Sequence, residues 1–309
     1  MGTEALVVGA GVIGLSTAIR LAEGGARVRV WAAEPPERTT SAVAAALWGP
    51  DFADPGRTWA YATQAELTLL AEDPTSGVRL CRGMQSSDLQ AEPPPWVDRL
   101  PEVRICGPEE LAPGMLVGLR TTVPVVDMPR YLEYLVTRLA RTGTEVELRR
   151  VASLAEPAAA APVVVNCTGV GARELTGDDE LRPWWGQHVV VENPGLTEYY
   201  VEATRAREWA SFFPHGDHVV LGGVVRPDVW DRSPDPEVAA GIRTRCAAVE
   251  PLLADAPVLE HRVGLRPWRP TPRLAAERLG EALVVHNYGH GGMGVCHSWG
   301  SADAVLALL

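Results

Sequence analysis

The sequence contains no lysine, and this absence removes one class of catalysis at once. All 28 basic residues are arginines, so no lysine side chain can form a Schiff base with a carbonyl substrate. The 39 acidic residues outnumber them and leave a formal net charge of −11. Because binding to nucleic-acid phosphates requires a basic surface, we expect no nucleic-acid partner.

Cysteines are few and widely spaced. The five are Cys81, Cys106, Cys167, Cys246 and Cys296, and no two of them form a C-x-x-C pair. An odd, scattered set is typical of reduced thiols rather than of a disulfide framework or a zinc site, so we expect a cytoplasmic protein without a metal. No apolar run approaches the roughly 20 residues that cross a bilayer, and no signal peptide is recognisable. We therefore expect no membrane partner.

The start of the chain carries a strand–glycine–helix pattern. Residues 5–9 form a short apolar run, Gly9, Gly11 and Gly14 follow, and a helix is predicted over 12–23 before a second strand. Such a β-α-β unit implies parallel strands. In dinucleotide-binding folds the first glycine makes a tight turn, the second admits a pyrophosphate, and the third lets helix and strand pack closely. The pattern predicts a dinucleotide site.

The helix start and the end of the second strand complete this predicted site. The helix N-terminus at Val12 and Ile13 supplies N–H donors for the phosphates. An acidic residue normally ends the second strand and binds the adenosine ribose. The expected position is Ala33, which is not acidic, and Glu34 follows it. We assign the ribose contact to Glu34, and the departure argues against a standard NAD site.

A later segment again combines a buried strand with a polar turn. The apolar run 163–166 leads into Cys167, Thr168 and Gly169. At the carboxyl edge of a parallel sheet, such a turn can meet a dinucleotide. An ordinary strand-to-turn junction is the alternative for this segment.

Near the end of the chain, four glycines occur within six residues. They are Gly289, Gly291, Gly292 and Gly294, and they follow a predicted strand at 283–286. A closing helix comes next, so the loop predicts a second close approach of backbone to an anion or a flavin ring, with a structural loop as the alternative. Since the two glycine turns lie near opposite ends of the chain, the nucleotide domain is predicted to be discontinuous.

Prolines flank two arginines in the segment Gly264-Leu-Arg266-Pro-Trp-Arg269-Pro270. We predict a stiff loop here. A guanidinium held in such a loop suits bidentate binding of a carboxylate. The alternative, a plain surface arginine, applies most readily to Arg269.

Taken together, these segments resemble the D-amino-acid oxidase family, which includes the D-aspartate oxidases. The matching stretches are 8–17, 43–48, 165–170, 220–223, 264–270 and 286–292, in the family's order. The resemblance implies an α/β fold with a discontinuous Rossmann-type FAD-binding domain and a substrate domain built on a mixed, mostly antiparallel sheet. We assign residues 1–50, 127–180 and 265–309 to the FAD-binding domain and residues 51–126 and 181–264 to the substrate domain.

The resemblance also implies a reaction. FAD would accept a hydride from the α-carbon of a D-amino acid, giving an imino acid that water converts to a keto acid and ammonia. Oxygen would reoxidise the flavin and form hydrogen peroxide. Two alternatives stay open: a flavin amine oxidase with a glycine-like, sarcosine-like or biosynthetic substrate, and an FAD-binding protein with little catalysis. A homodimer is one option for the assembly.

Individual roles follow from the same resemblance. The family's carboxylate-binding arginine falls on Arg266, and the glycine whose carbonyl meets the substrate amine falls on Gly292. A tyrosine that helps to hold the carboxylate is replaced by Ser211, which leaves the natural substrate and its stereochemistry open. Flavin contacts carry over to Gly9, Gly11, Gly14, Thr39, Thr40, Ala45, Leu47, Val151, Gly291, Gly294 and Val295, and Arg266 is assigned to the cofactor as well as to the substrate. The small Ser211 and Gly49 would leave room for a larger substrate, which Trp184, Trp185 and Trp209 could line. The alternative is that these three tryptophans are core aromatics.

Overall fold

The described part of the computed structural model, residues 3–49, 57–89, 97, 100 and 102–309, forms fourteen β-strands and seven α-helices. The strands are β1 (Glu4–Val8), β2 (Arg27–Ala32), β3 (Val78–Ser87), β4 (Arg104–Ile105), β5 (Val117–Val126), β6 (Val146–Leu148), β7 (Val163–Asn166), β8 (Arg182–Glu192), β9 (Tyr199–Ala203), β10 (Glu208–Pro214), β11 (His218–Val224), β12 (Arg226–Pro227), β13 (Val258–Leu279) and β14 (Ala282–His290). The helices are α1 (Val12–Glu23), α2 (Arg57–Leu70), α3 (Met128–Ala140), α4 (Ala155–Ala160), α5 (Ala172–Thr176), α6 (Pro236–Val249) and α7 (Gly294–Leu306).

The strands form one continuous sheet. Its order is β4-β5-β3-β9-β10-β11-β8-β13-β14-β7-β1-β2-β6, with β12 paired to β8. Strands β14, β7, β1, β2 and β6 pair in parallel. The rest pair antiparallel, except for the parallel contact between β3 and β9. A parallel part joined to a mixed, mostly antiparallel part confirms the predicted α/β fold class.

The first β-α-β unit forms as its sequence pattern predicts. Strand β1 lies between β2 and β7, and its apolar residues are buried. Helix α1 covers the predicted residues and buries Leu15 and Ile19 on one face. Because α1 starts directly after the turn at Gly11, its N-terminus lies at the carboxyl end of β1. Ligands of doubly wound folds bind at such strand ends.

Strand β13 joins the two parts of the sheet. It pairs with β8 from Val258 to Trp268 and with β14 from Trp268 to Leu279. The proposed domain boundary at 264/265 falls inside this strand, and the boundary at 50/51 lies outside the described residues. The five parallel strands all come from the three segments assigned to FAD binding, but the boundaries themselves stay a prediction, because the sheet continues across them.

Two local structure predictions are wrong. The small, apolar residues 41–47 predict the start of a helix, but a 3-10 turn covers Thr40–Val43 and Leu47 then bridges Val125. Tertiary contacts outweigh its helical tendency, because the Thr40 hydroxyl donates to the Leu265 carbonyl at 3.2 Å. The segment 264–270 is not a loop but part of β13. Its prolines are tolerated near an irregularity, since the pairing register with β14 shifts between Trp268 and Arg273.

The cysteines of the described residues form no disulfide bond. All five cysteines are free and buried. Burial raises the pKa of the Cys167 thiol to about 12, so this thiol stays protonated at neutral pH.

Among the residues that the structure describes, no helix combines the length and apolar character of a membrane span. The same residues contain no group of three or more His, Cys, Asp or Glu side chains placed to hold a metal.

Three helices are tied together at Glu66. This half-buried carboxylate of α2 accepts hydrogen bonds from Arg20 of α1 and Arg138 of α3, each at 2.8 Å. Both guanidinium groups also lie over the buried ring of Trp299, at 4.6 and 4.8 Å from its centroid. Burial opposes ionisation of Glu66, but the hydrogen bonds from Arg138 and Arg20 outweigh it and lower its pKa. The carboxylate therefore stabilises the helical layer that supports β1.

We expect Glu66→Gln to lower the free energy of unfolding by about 1–3 kcal/mol at pH 7, because two guanidinium groups lose a charged partner. A lowered folded-state pKa gives stability that is present above the unfolded value and is lost as pH falls through the folded value. The variant should therefore lose less stability than the wild type between pH 6 and pH 3. Thermal unfolding at several pH values measures this, and parallel curves for the two proteins would contradict it.

Candidate active site

A cavity of about 670 Å³ follows the carboxyl ends of β1, β2 and β7 and continues toward β8 and β13. This volume is typical of sites for small molecules and cofactors. The predicted site residues in its wall are Gly9, Gly11, Val12, Ile13, Glu34, Thr39, Thr40, Val151, Cys167, Thr168, Gly169, Arg266, Gly289, Gly291, Gly292, Gly294 and Val295. The predicted residues Gly14, Ala45, Leu47 and Ser211 lie outside this wall.

The turn between β1 and α1 requires its glycines. Gly9 has a φ of +113°, which favours glycine, and a Cβ there would overlap the Cys167 carbonyl oxygen. A Cβ on Gly14 would overlap the Gly9 carbonyl oxygen, so Gly14 acts in packing rather than in the cavity wall. The first turn of α1 has no acidic residue. The Val12 N–H already donates to the Ser41 hydroxyl at 3.0 Å, so the N–H groups that follow it, from Ile13 onward, are the ones suited to an anionic phosphate.

One end of the cavity lies where β2 ends. Glu34 is in the wall here and forms an ion pair with Arg232 at 3.5 Å. Arg149 and Arg150 also line this end. Sequence reasoning assigned Glu34 to the ribose but missed the three arginines, because they come from segments distant in sequence that only the fold brings together.

A second glycine turn lies where β14 meets α7. Gly289 and Gly291 have φ values of +84° and +54°, and a 3-10 turn over Gly291–Met293 leads into α7. The first turn of α7 lacks acidic residues, and Gly294 and Val295 face the cavity. Strand β14 runs further than predicted, through His290, so the glycine loop is shorter than the sequence suggested. It presents a second helix N-terminus to the same cavity.

The guanidinium of Arg266 lies at the other end of the cavity. It occupies the space above Gly186, where a Cβ would overlap it. Its Nη1 donates to the Val224 carbonyl at 3.0 Å. Burial lowers its pKa to about 10, so it is still a cation at neutral pH. Within the described residues no carboxylate pairs with Arg266. An enclosed cation without a counter-charge is unfavourable, and an anionic ligand would relieve this.

Ser211 lies on β10, two strands from β8, and is not a residue of the cavity wall. It is 3% exposed in β10 and pairs with Gly222 of β11. Its hydroxyl group makes no hydrogen bond to the described residues. The three tryptophans do not line the cavity. Trp184 stacks on Trp268 with centroids 4.7 Å apart, and Trp209 packs on Gly223. Trp185 lies in a hydrophobic cluster with Leu221 and Ile242, here called the second core.

His188 of β8 is a wall residue that sequence reasoning missed. Its Nδ1 lies 2.8 Å from the Val43 carbonyl oxygen. Burial, and then the charge of Arg266, lower its pKa to about 4, so the imidazole is neutral at pH 7. The valine run at 189–191 predicts a strand over 187–192, and the two-residue period of side chains along a strand could have revealed His188. Val189 and Val191 enter the second core, which puts His188 on the opposite face.

The comparisons with known proteins agree with this geometry. The family model described as FAD dependent oxidoreductase matches residues 4–308. The chain belongs to this family. A D-amino-acid oxidase of Rubrobacter xylanophilus is 48% identical over 310 residues, with 99% of this chain and 95% of the relative covered. A D-amino-acid oxidase of Streptomyces coelicolor is 46% identical, with 99% and 96% covered. The resemblance to D-amino-acid oxidases that the motifs predicted is confirmed.

A solved structure supports the fold over the whole chain. The glycine oxidase of Geobacillus kaustophilus superposes with a TM-score of 0.83 at 18% identity, covering 99% of this chain and 94% of that one. At this identity the likeness shows the fold alone. FAD is the cofactor of the family, and the residues present fit it: the glycine turn and N-terminus of α1 suit the pyrophosphate, and the loop before α7 suits a close approach of the flavin ring.

Proposed function

We propose that this FAD-dependent protein oxidises D-amino acids and that Arg266 binds the substrate carboxylate. The proposal depends on the Arg266 guanidinium. It lines the same cavity as the two glycine turns, and no carboxylate of the described residues neutralises it. A carboxylate is the common group of all amino acids, and a planar guanidinium binds it through two parallel hydrogen bonds. The names of the two bacterial relatives support the D-amino-acid class.

The chain's own residues orient the substrate rather than react with it. Arg266 fixes the carboxylate, and the backbone of Gly292 lies close by, since a Cβ on Gly292 would be 3.7 Å from the Arg266 Cδ. The Gly292 carbonyl is therefore our proposed acceptor for the α-amine, which is only two bonds from the carboxylate carbon. When the carboxylate and the α-amine are both bound, the hydrogen on the α-carbon has one fixed direction. Such positioning accelerates hydride transfer by lowering its entropic cost.

FAD, when bound, supplies the acceptor for the two electrons and the hydrogen that leave the α-carbon as a hydride. The amino acid becomes an imino acid, which water hydrolyses to a keto acid and ammonia. We propose molecular oxygen as the final electron acceptor, with hydrogen peroxide as its product. The five free, buried thiols support a reducing, cytoplasmic setting for this reaction.

Purified FAD-loaded protein tests the proposal with a panel of D-amino acids, their L-enantiomers, glycine and sarcosine. We expect oxygen consumption, peroxide and one equivalent of keto acid with D-amino acids, together with bleaching of the flavin under anaerobic conditions. Turnover of glycine or sarcosine alone would favour the amine oxidase alternative. A protein that binds FAD but is bleached by none of these compounds would overturn the proposal.

A further inference from the structure

Three strands place His188, Ser211 and Arg266 around one part of the sheet face. Ser211 of β10 pairs with Gly222 of β11, and the next strand, β8, carries His188. A Cβ on Gly222 would lie 3.0 Å from the Ser211 Oγ and 3.2 Å from the His188 Nε2. The glycine therefore leaves a slot that is flanked by a hydroxyl and a ring nitrogen. Gly186, over which the Arg266 guanidinium lies, is two residues from His188 on the same strand face.

The two ring nitrogens of His188 differ in their hydrogen bonds: Nδ1 has a partner, and Nε2 has none among the described residues. Nδ1 faces a carbonyl oxygen, that of Val43, so Nδ1 carries the hydrogen. Nε2 is then the free position, and among the described residues it has no hydrogen-bond partner. Ser211 is too short to extend across the slot toward Arg266. His188, unlike Ser211, lines the same cavity as Arg266, and the charge of Arg266 acts on its imidazole.

The charged groups around His188 are all positive or already paired. Arg266 and Arg262, both from β13, are the charged residues whose fields act on the imidazole. Arg262 is paired with Glu260 at 2.7 Å. Val43, Gly222 and Ser211, on the other elements that pack against the ring, carry no charge. The imidazole therefore has no unpaired anion near it among the described residues. A carboxylate bound at Arg266 would supply one.

We infer that His188 is the second carboxylate-binding group of the site and that it takes up one proton as the substrate carboxylate binds. The inference rests on the proposed role of Arg266. In the complex, Nδ1–H donates to the Val43 carbonyl, and the added proton makes Nε2–H a donor to a carboxylate oxygen. The proton comes from solvent, and no other bond changes. His188 thereby supplies, from a neighbouring strand, the second contact that Ser211 cannot reach.

The sign of the linked pH effect follows from this proton. Without ligand, the imidazole is neutral above about pH 4, and the carboxylate offsets the field of Arg266 that helps to keep it neutral. A ligand that binds the protonated form more tightly is bound more weakly as pH rises from the free-state pKa toward the pKa in the complex. Over that interval the Kd approaches an increase of about tenfold per pH unit.

The experiment uses the FAD-loaded protein and two amine-free carboxylates, acetate and benzoate. Flavin absorbance gives the Kd between pH 5 and pH 7.5, and calorimetry in two buffers of different ionisation enthalpy gives the protons taken up at pH 6. For the wild type we expect the Kd to rise with pH and protons to be taken up. His188→Gln keeps a neutral donor, so it should still bind, with a flat profile and no proton uptake. His188→Leu should bind more weakly at every pH.

Two further variants separate the outcomes. His215→Gln changes another buried histidine, whose pKa burial lowers to about 3 and which does not line the cavity, so the pH dependence should persist. Arg266→Met should abolish binding. A flat wild-type profile, or a slope retained in His188→Gln, overturns the role of His188 while Arg266-dependent binding stands. Binding that survives in Arg266→Met, or no binding to the wild type, overturns the proposed role of Arg266 as well.

Discussion

Replacing Arg266 by methionine is expected to lower kcat/KM for D-amino acids by about 10²–10³-fold, because a charge-assisted contact to the substrate carboxylate costs several kcal/mol to lose. Methionine keeps much of the side-chain volume beneath the cavity. The FAD cradle at the α1 turn does not include this side chain, so the variant should be purified with its flavin. Steady-state oxidation of one good D-amino acid, with flavin content measured by absorbance, gives the result.

The same variant makes a second, opposite prediction for stability. In the ligand-free protein the Arg266 guanidinium is enclosed without a carboxylate, and removal of such a charge is neutral or stabilising. We expect the Tm of Arg266→Met to equal or exceed that of the wild type. Arg182→Met is the matched control, since Arg182 pairs with Asp228 at the surface and should change neither quantity by much. A variant with normal kcat/KM would show that the carboxylate binds elsewhere.

The elements that the sequence predicted well are those whose cause is local. Helix α1 and strand β7 occupy their predicted residues because apolar periodicity and glycine punctuation act over neighbouring positions. The glycine turn after β1 could be assigned for the same reason. A Cβ on residue 14 would overlap the Gly9 carbonyl oxygen. Only glycine fits there, so the requirement can be recognised in the sequence.

The parts that could not be predicted depend on strand register and distant contacts. The segment around Arg266 was expected to be a loop because of its prolines, yet β8 pairs with it residue by residue, Pro267 opposite Pro183. That register puts the guanidinium above Gly186, which is two residues from His188 on the same strand. No property of residues 182–192 alone discloses a neighbour about 80 positions later. The flavin turn is therefore determined by residues that are neighbours in sequence. The substrate end is determined by tertiary contacts between distant segments.

The two ends of the cavity differ in the groups that form them. The cofactor end rests on backbone groups and on the absence of side chains, at Gly9, Gly11 and Gly291. The proposed substrate end depends on side chains, those of Arg266 and His188, which can be exchanged without altering the fold. The replacement of a family tyrosine by Ser211, which the resemblance implies, would be such an exchange. Substrate preference can therefore diverge among relatives that share the same flavin cradle.

Gly14→Ala is expected to have the largest effect on the cofactor end. The new methyl group would overlap the Gly9 carbonyl oxygen, a backbone atom that no side-chain rotation can move aside. Helix α1 must then shift away from β1, which carries its N-terminal N–H groups away from the phosphate position. We expect the Kd for FAD to rise at least about a hundredfold, and the free energy of unfolding to fall by about 1–3 kcal/mol, as in overpacked cores. Flavin fluorescence during titration of the apoprotein measures the Kd.

The control for this substitution is Gly241→Ala. Gly241 lies in α6, far from the turn in sequence. Its added Cβ would lie 3.1 Å from Arg245 Nη1, a side-chain atom paired with Glu208 that needs to move by only a few tenths of an ångström. Because alanine favours a helix over glycine by up to about 1 kcal/mol, this variant should be as stable as the wild type or more so and should bind FAD normally. If Gly14→Ala also bound FAD normally, the close packing of α1 on β1 would not be what positions the phosphate donors. The cofactor assignment would then have to rest on the loop before α7 instead.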